Sequence, residues 1–454
     1  MRGNEPPVEG KTGGSQGENR KAQQAFEITW VRKSRVAGFL FFILSSAPPV
    51  SLPLHAIILS EIVHRPWRLL FDCGKSIAGC ANLFMKFSSI TLYHLSMPLV
   101  APFETSFGRT ENRECILISI ESEGLTGWGE CATDRDPGYS YETTGTAWHI
   151  LKDFIGPLLL GQEVAGAADY QRRVAGIRGH NLAKAGVEMA LWDLLGKRES
   201  KSLRELLGGV RGKVEVGVSV GLQPSLDALV EAVGKYLSLG YERIKIKIKP
   251  GRDVADAEAV RRAFPHIRLQ VDANSAYTLE TAQAIRELDS LDLLLIEQPL
   301  AEDDLWEHAK LQKQFHTPIC LDESILSLHH ARSALEMGAC RVINIKPGRV
   351  GGLSQAIAIH DLCRAQGVPV WCGGMLETGV GRASNLAIAS LPGFSLPGDI
   401  SASDRYYVED VTHQRFVLNS DSTIDVPVAP GLGVTVDEAA LKKFALAKLH
   451  LGTS

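Results

Sequence analysis

The sequence predicts an α/β barrel preceded by a smaller α+β domain, and three observations carry that expectation. Five polar residues, Lys247, Asp272, Glu297, Asp322 and Lys346, recur at gaps of 25, 25, 25 and 24 residues. Each closes a short apolar run: IKIK, LQVD, LLLIE, ICLD and INIK. Between the runs lie segments of helical pattern, so the period is one strand plus one helix. A repeat of that size lets every unit deliver one functional side chain to the same place.

The front of the chain differs from the rest. Residues 1–84 hold ten Lys+Arg against six Asp+Glu, a net of +4, which leaves −8 for the remainder of a chain whose formal net charge is −4. Residues 1–24 are almost free of apolar side chains and are expected to be disordered. The run Val36–Leu44, VAGFLFFIL, is too short for a bilayer core, which needs about 20 apolar residues. It also lies late for a secretory signal, and Pro48, Pro49 and Pro53 follow it. CGKS at Cys73–Ser76 lacks the upstream glycine of a phosphate loop, with Leu69 in its place. Residues 1–84 are therefore expected to be a disordered or non-native extension, with Met85 as a natural start. No membrane association is expected.

From Met85 the pattern becomes that of a folded enzyme. Lys86–Met97 and Arg113–Ser122 alternate apolar and polar residues, as half-buried strands do. PLVAPFETSFGRTEN between them reads as a loop, and GLTGWGEC closes a meander. Ala147–Leu160 and His180–Lys197 have helical periodicity, the second with a stripe of Ala183, Val187, Ala190, Leu191, Leu194 and Leu195. A sheet followed by helices makes an α+β domain over 85–210.

Short apolar strands then alternate with helices over 211–405. The strand candidates are 214–221, 243–249, 268–274, 293–299, 318–324, 341–347 and 369–375, with a weaker one near Phe394–Ile400. Asp253–Phe264 and Leu279–Leu288 read as helices among the connections. An open doubly wound sheet is the alternative. It is disfavoured because candidate ligands end at least five successive strands, and only a barrel gathers those ends around one axis. Residues 406–454 form a C-terminal segment.

Bulk properties exclude several functions. At 45% hydrophobic and 22% charged, the chain shows no basic surplus that asks for nucleic acid. Eight cysteines include no CxxC and no Cys/His metal spacing, so a reduced, cytoplasmic compartment is expected rather than a disulfide framework.

The recurring residues point to chemistry. Alternation along a strand puts Lys245 with Lys247, and Asp272 with Asn274, on shared faces. Asp272, Glu297 and Asp322 end the third, fourth and fifth barrel strands, and three neighbouring carboxylates repel one another unless a cation joins them. An all-oxygen set without His or Cys points to Mg²⁺, with Mn²⁺ as the alternative. Lys247 and Lys346, on the second and sixth strands, flank that set and face a substrate from opposite sides. A lysine acts as a base when its pKa is lowered, and Lys245 and the metal ion would each lower that of Lys247. The set suits removal of a proton next to a small-molecule carboxylate, followed by racemisation, dehydration or cycloisomerisation.

In order along the chain, KxK at Lys245–Lys247, DAN at Asp272–Asn274, EQP at Glu297–Pro299, DES at Asp322–Ser324 and NIKPGRVGG at Asn344–Gly352 resemble the enolase superfamily, in its muconate-lactonizing-enzyme-like subgroup. MPLVAPFETSFG at Met97–Gly108, WCGGM at Trp371–Met375 and LPGDISASDRYY at Leu396–Tyr407 are similar to stretches of the o-succinylbenzoate synthase/N-succinylamino acid racemase family. The resemblance covers Met85 to the C-terminus. It implies a modified (β/α)7β barrel under an N-terminal α+β capping domain, with the chain end returning to the cap. It implies Asp272, Glu297 and Asp322 as Mg²⁺ ligands, Lys247 as the acid/base, Lys346 as its opposite-face partner and Lys245 as electrostatic support. Asn274, Ser219, Gly373, Gly374 and Met375 would contact substrate. The loop Leu99–Thr110, with Phe103 and Phe107, would act as a lid over the barrel mouth, although an ordinary hairpin connection competes with that reading. The expected activity is dehydration of 2-succinyl-6-hydroxycyclohexa-2,4-diene-1-carboxylate to 2-succinylbenzoate in menaquinone biosynthesis. N-succinylamino acid racemisation is the rival, and a non-catalytic small-carboxylate binding protein is a third reading. A homo-oligomer is expected.

Overall fold

The computed structural model describes residues 84–452. The expectations for the leading extension fall on residues outside that range, apart from Phe84 itself.

The strands Ser89–Glu104, Arg109–Ser122 and Leu125–Cys131 form an antiparallel meander. Ala445–Gly452 adds to its free edge by pairing with Ser89–Leu95. The segment expected as a loop after Met97 is largely extended instead. Its two arms run on as a long hairpin, with Phe103 opposite Thr110 and Glu104 opposite Arg109. The register slips between Pro98 and Phe103. Pro98 and Pro102 fall in that stretch and have no N–H to give the ladder, so pairing breaks there and resumes beyond. The helix Asn181–Glu199 lies across the meander, buried along most of its length. Its partner strand carries Gly127 and Gly129, where a Cβ would run into the helix carbonyls of Ala190 and Gly186.

The barrel begins differently from the expected single strand over 214–221. Lys213–Glu215 pairs antiparallel with Thr423–Asp425, and Val218–Val220 pairs parallel with the next stave of the barrel. Gly217 divides the two, at a point where any side chain would collide with the Arg243 guanidinium. Six further parallel staves follow in chain order: Arg243–Lys247, Arg268–Asp272, Ile296–Glu297, Ile319–Leu321, Val342–Ile345 and Val370–Cys372. The weak eighth stave closes the circle. Ser395 and Asp399 amides donate to Val370 O and Cys372 O, at 3.1 and 2.9 Å. On its other side the Gly398 amide donates to Glu215 O at 3.0 Å, and the Gly217 amide to Gly398 O at 2.8 Å.

Alternation within each stave separates two environments. Ile244, Ile246, Leu269 and Val271 are fully buried in the apolar layer around the barrel. Arg243, Lys245 and Lys247, like Gln270 and Asp272, share the opposite face, and these too are buried. Placing so many charges inside is tolerated only if they are paired, and that requirement shapes the site.

Candidate active site

The C-terminal ends of the staves hold the recurring residues in adjacent positions. Lys247 is the lateral neighbour of Asp272, and Asp272 of Glu297. Lys247 Nζ lies 2.6 Å from Asp272 Oδ2 and donates to Asn274 Oδ1 at 2.6 Å. Asn274 adopts a positive φ of 45°, which asparagine tolerates better than most residues. That turn lets its amide nitrogen donate to Asp272 Oδ1 at 3.1 Å and its side chain to Glu323 Oε1 at 2.8 Å. Asn274, expected to contact substrate, is thus bound to Lys247 and Glu323.

Lys245 stands between two of the acids, 2.9 Å from Glu297 Oε2 and 3.1 Å from Asp272 Oδ2. Asp322 is turned to the other side of the chamber. Its Oδ2 accepts from Lys346 Nζ at 2.8 Å, and its Oδ1 meets Arg349 and the Tyr139 hydroxyl, the latter at 3.1 Å. Glu297 Oε1 accepts from Asn344 Nδ2 at 2.8 Å. Among the described residues no three acid, histidine or cysteine side chains stand together as a finished metal cage. Each of the three acids is satisfied by a basic neighbour: Asp272 and Glu297 share Lys245, and Asp322 takes Lys346 and Arg349.

The electrostatics follow from this pairing. Burial works to raise Asp272, but Lys247 and Lys245 prevail and hold its carboxyl well below the usual range. Glu297 is pushed up, first by burial and then by the charge of Asp272. Burial and Asp272 together push Glu323 up to about 7. Burial opposes the charge on Lys346, yet Tyr139, Glu297 and Glu323 outweigh it and hold the ammonium above its ordinary range.

The remaining expected residues take varied positions. Ser219 is buried beside Lys245 in the next stave, and its hydroxyl has no hydrogen-bond partner. A side chain at Gly373 would collide with Asn344 and with the Lys346 stem, so glycine there makes room for that lysine. Gly374 lies against the Asp399 carbonyl. Met375 is buried and joins the apolar core of the cap. At the hairpin tip, Ser106 donates to Asn274 O at 3.1 Å, so the hairpin reaches the barrel mouth. Phe103 meets Tyr406 edge-on at 6.5 Å, while Phe107 is exposed and 6.5 Å from Tyr139.

Five neighbours of the site were not singled out from sequence. Arg349, Asp399 and Glu323 lie inside strings that carried the resemblance, as does Asn344. Tyr139 had no such signal. It comes from the cap, in the connection after the meander, and places its ring 4.3 Å from Lys346 Nζ and its hydroxyl 3.1 Å from it.

The chain matches the family model for the mandelate racemase/muconate lactonizing enzyme N-terminal domain over residues 88–208. It matches the enolase C-terminal domain-like model over residues 228–440. It is 50% identical to an o-succinylbenzoate synthase of Geobacillus kaustophilus over 80% of this chain and 98% of the relative. An N-succinylamino acid racemase of Amycolatopsis is 48% identical, over 81% and 100%. The crystal structure of an enolase superfamily member from Listeria innocua superposes with a TM-score of 0.78 at 42% identity, covering 81% of this chain and 99% of that one. With its cap and closed barrel matched in turn along the sequence, the chain belongs to the enolase superfamily, in the muconate-lactonizing-enzyme-like subgroup that contains the o-succinylbenzoate synthases and N-succinylamino acid racemases.

Proposed function

We propose that this enzyme is an o-succinylbenzoate synthase, dehydrating 2-succinyl-6-hydroxycyclohexa-2,4-diene-1-carboxylate in menaquinone biosynthesis. One observation carries the reading: two buried lysines, on the second and sixth staves, are each ion-paired to an acid of the carboxylate set. The synthases of Geobacillus kaustophilus, Geobacillus stearothermophilus and Bacillus subtilis, 47–50% identical, support the substrate assignment.

The donor set fits a hard divalent cation. Asp272, Glu297 and Asp322 offer only carboxylate oxygen, all three are buried, and each already draws positive charge to itself. These three would hold Mg²⁺, with Mn²⁺ as the alternative. The bound ion supplies positive charge for the substrate carboxylate whose α-proton is removed. Lys247, as the free amine, takes the proton from the ring carbon bearing the carboxylate. Its ammonium returns that proton to the departing C6 hydroxyl, which leaves as water while the ring becomes aromatic. Asn274 orients Lys247 through their 2.6 Å bond. Lys346 keeps its proton and faces the developing negative charge from the other side. The unpartnered Ser219 hydroxyl is a donor available to substrate, and the hairpin around Phe103 and Phe107 would exclude water.

Racemisation of N-succinylamino acids on the same residues is the second reading, favoured by the Amycolatopsis relative and by the presence of Lys346 opposite Lys247. Loss of a general base costs about 10²–10⁴ in rate, so Lys247→Ala should lose both activities on that scale. Lys346→Ala should abolish racemisation, because no group then delivers a proton to the far face. It should slow dehydration only by the electrostatic help lost. Absorbance assays of ring aromatisation and polarimetry of N-succinylphenylglycine check both; full activity of Lys346→Ala in the two assays would sink the two-face arrangement.

We further propose a cytoplasmic location, supported by six free, buried cysteines among the described residues. Among these residues no helix is long and apolar enough to cross a membrane. A homo-oligomer is part of the same reading, checked by sedimentation.

A further inference from the structure

The eighth stave carries an acid that the reaction scheme leaves unused. Asp399 is buried, and its Oδ2 lies 2.5 Å from Lys245 Nζ, closer than either Glu297 or Asp272. Its Oδ1 lies 2.6 Å from Arg243 Nη1. Arg243 is fully buried, and its Nη2 donates to the carbonyls of Pro397 and Gly398 at 3.1 and 2.6 Å. Asp399 is therefore clamped to its own stave by the arginine and presents one oxygen to Lys245. The Trp371 ring, 4.9 Å from Lys245 Nζ and 5.7 Å from the Arg243 guanidinium, flanks both cations.

Three carboxylates thus divide one ammonium, which has three N–H donors to give. Two of the three belong to the set that would hold the divalent ion. Positive charge committed to Asp399 is charge withheld from Asp272 and Glu297. We propose that Asp399 is a positioning residue: it draws the Lys245 ammonium toward the eighth stave, leaving the Asp272 and Glu297 oxygens open to a divalent cation. This inference rests on the metal-dependent reading above. It adds that cation affinity is set from outside the three ligands.

The test is a double-mutant cycle read by calorimetric titration with Mg²⁺ alone. Residues that orient metal ligands typically change affinity about 10–100-fold when replaced, so Asp399→Asn should weaken Mg²⁺ binding by about tenfold. In a Lys245→Gln background the same replacement should change affinity less than about twofold, because the ammonium it acts through is gone. An equal fall in both backgrounds, or no fall in either, overturns the proposal. Should Asp399→Asn not fold, Asp399→Glu carries the comparison. It keeps the charge but moves the oxygen, and unchanged affinity in that variant is equally fatal. A crystal structure of the variant gives a reading independent of metal: the Lys245 ammonium should lie on Asp272 and Glu297 alone, and an unmoved ammonium refutes the inference. Failure of the unsubstituted protein to bind Mg²⁺ or dehydrate substrate would instead count against the functional reading.

Discussion

Removing one oxygen atom, that of Tyr139, touches three charged groups at once, because the hydroxyl meets Lys346, Asp322 and Arg349. Tyr139→Phe keeps the ring over the ammonium and deletes those bonds. Hydrogen bonds to charged groups are worth about 1.5–3 kcal/mol. The variant should therefore lose about tenfold in kcat and also show a lower Tm; an unaltered kcat would show that the hydroxyl is a bystander. The contrast between Tyr139 and the lysines shows what a sequence can reveal about a site. Lys247, Asp272, Glu297, Asp322 and Lys346 were legible because each sits at the same place in a repeating unit, so spacing alone aligned them. Tyr139 obeys no period, and its contact with Lys346 joins residues 207 apart through the docking of cap on barrel. Pairing was hidden as well. The sequence showed three acids and suggested that they meet at one point. The fold divides them between Lys245 on one side and Lys346 with Arg349 on the other.

At the level of elements, the third cap strand meets a barrel helix through a single acid. Glu130 accepts from the Thr378 hydroxyl at 2.6 Å and amide at 3.1 Å, and from the Gly381 amide at 3.0 Å, at the N-terminus of the helix Gly379–Ala389. Burial, and then the nearby Glu377, push its carboxyl up to about 7, against the pull of Thr378 and Arg113. Because the value is raised, the folded state binds more protons than the unfolded chain between the ordinary carboxyl range and pH 7. The stability from this group is then greatest below about pH 4.5 and is lost as pH rises to about 7, a change of roughly 3 kcal/mol at most. Glu188, on the long cap helix and bonded to the Ser354 amide at 3.3 Å, is also pushed to about 7 by burial. Glu130→Gln should therefore flatten part of the fall of Tm with rising pH, and the pair of Gln replacements more of it. An unchanged slope in both would assign the effect elsewhere. Element types were largely readable from sequence because strand and helix periods differ, whereas their limits were not. Backbone events decided those limits: Gly217 splitting the first stave, and the prolines interrupting the long hairpin.

Over the whole molecule, the edge of the cap meander is covered by a strand from beyond the barrel. Ala445–Gly452 covers the edge of Ser89–Leu95, with Leu449 and Leu451 packed on the cap core. A chain ending at Phe444 would leave that edge unpaired, a template for association with other chains. It should show a lower Tm and concentration-dependent light scattering; a monomeric truncated protein of unchanged Tm would contradict this. Closure of the barrel by an eighth, bridge-like stave and the return of the last strand to the cap are both products of topology. Neither leaves more than a faint trace in local pattern. That return has a consequence for how the protein comes into being. Gly452 pairs with Ser89, so the cap meander waits for a strand made after the whole barrel. During synthesis the barrel can assemble as it leaves the ribosome, while the cap keeps one raw margin until residues 445–452 have emerged. A nascent chain would therefore be most open to chaperone capture along Ser89–Leu95, made before the barrel, and would be released from that risk only by Ala445–Gly452, made after it.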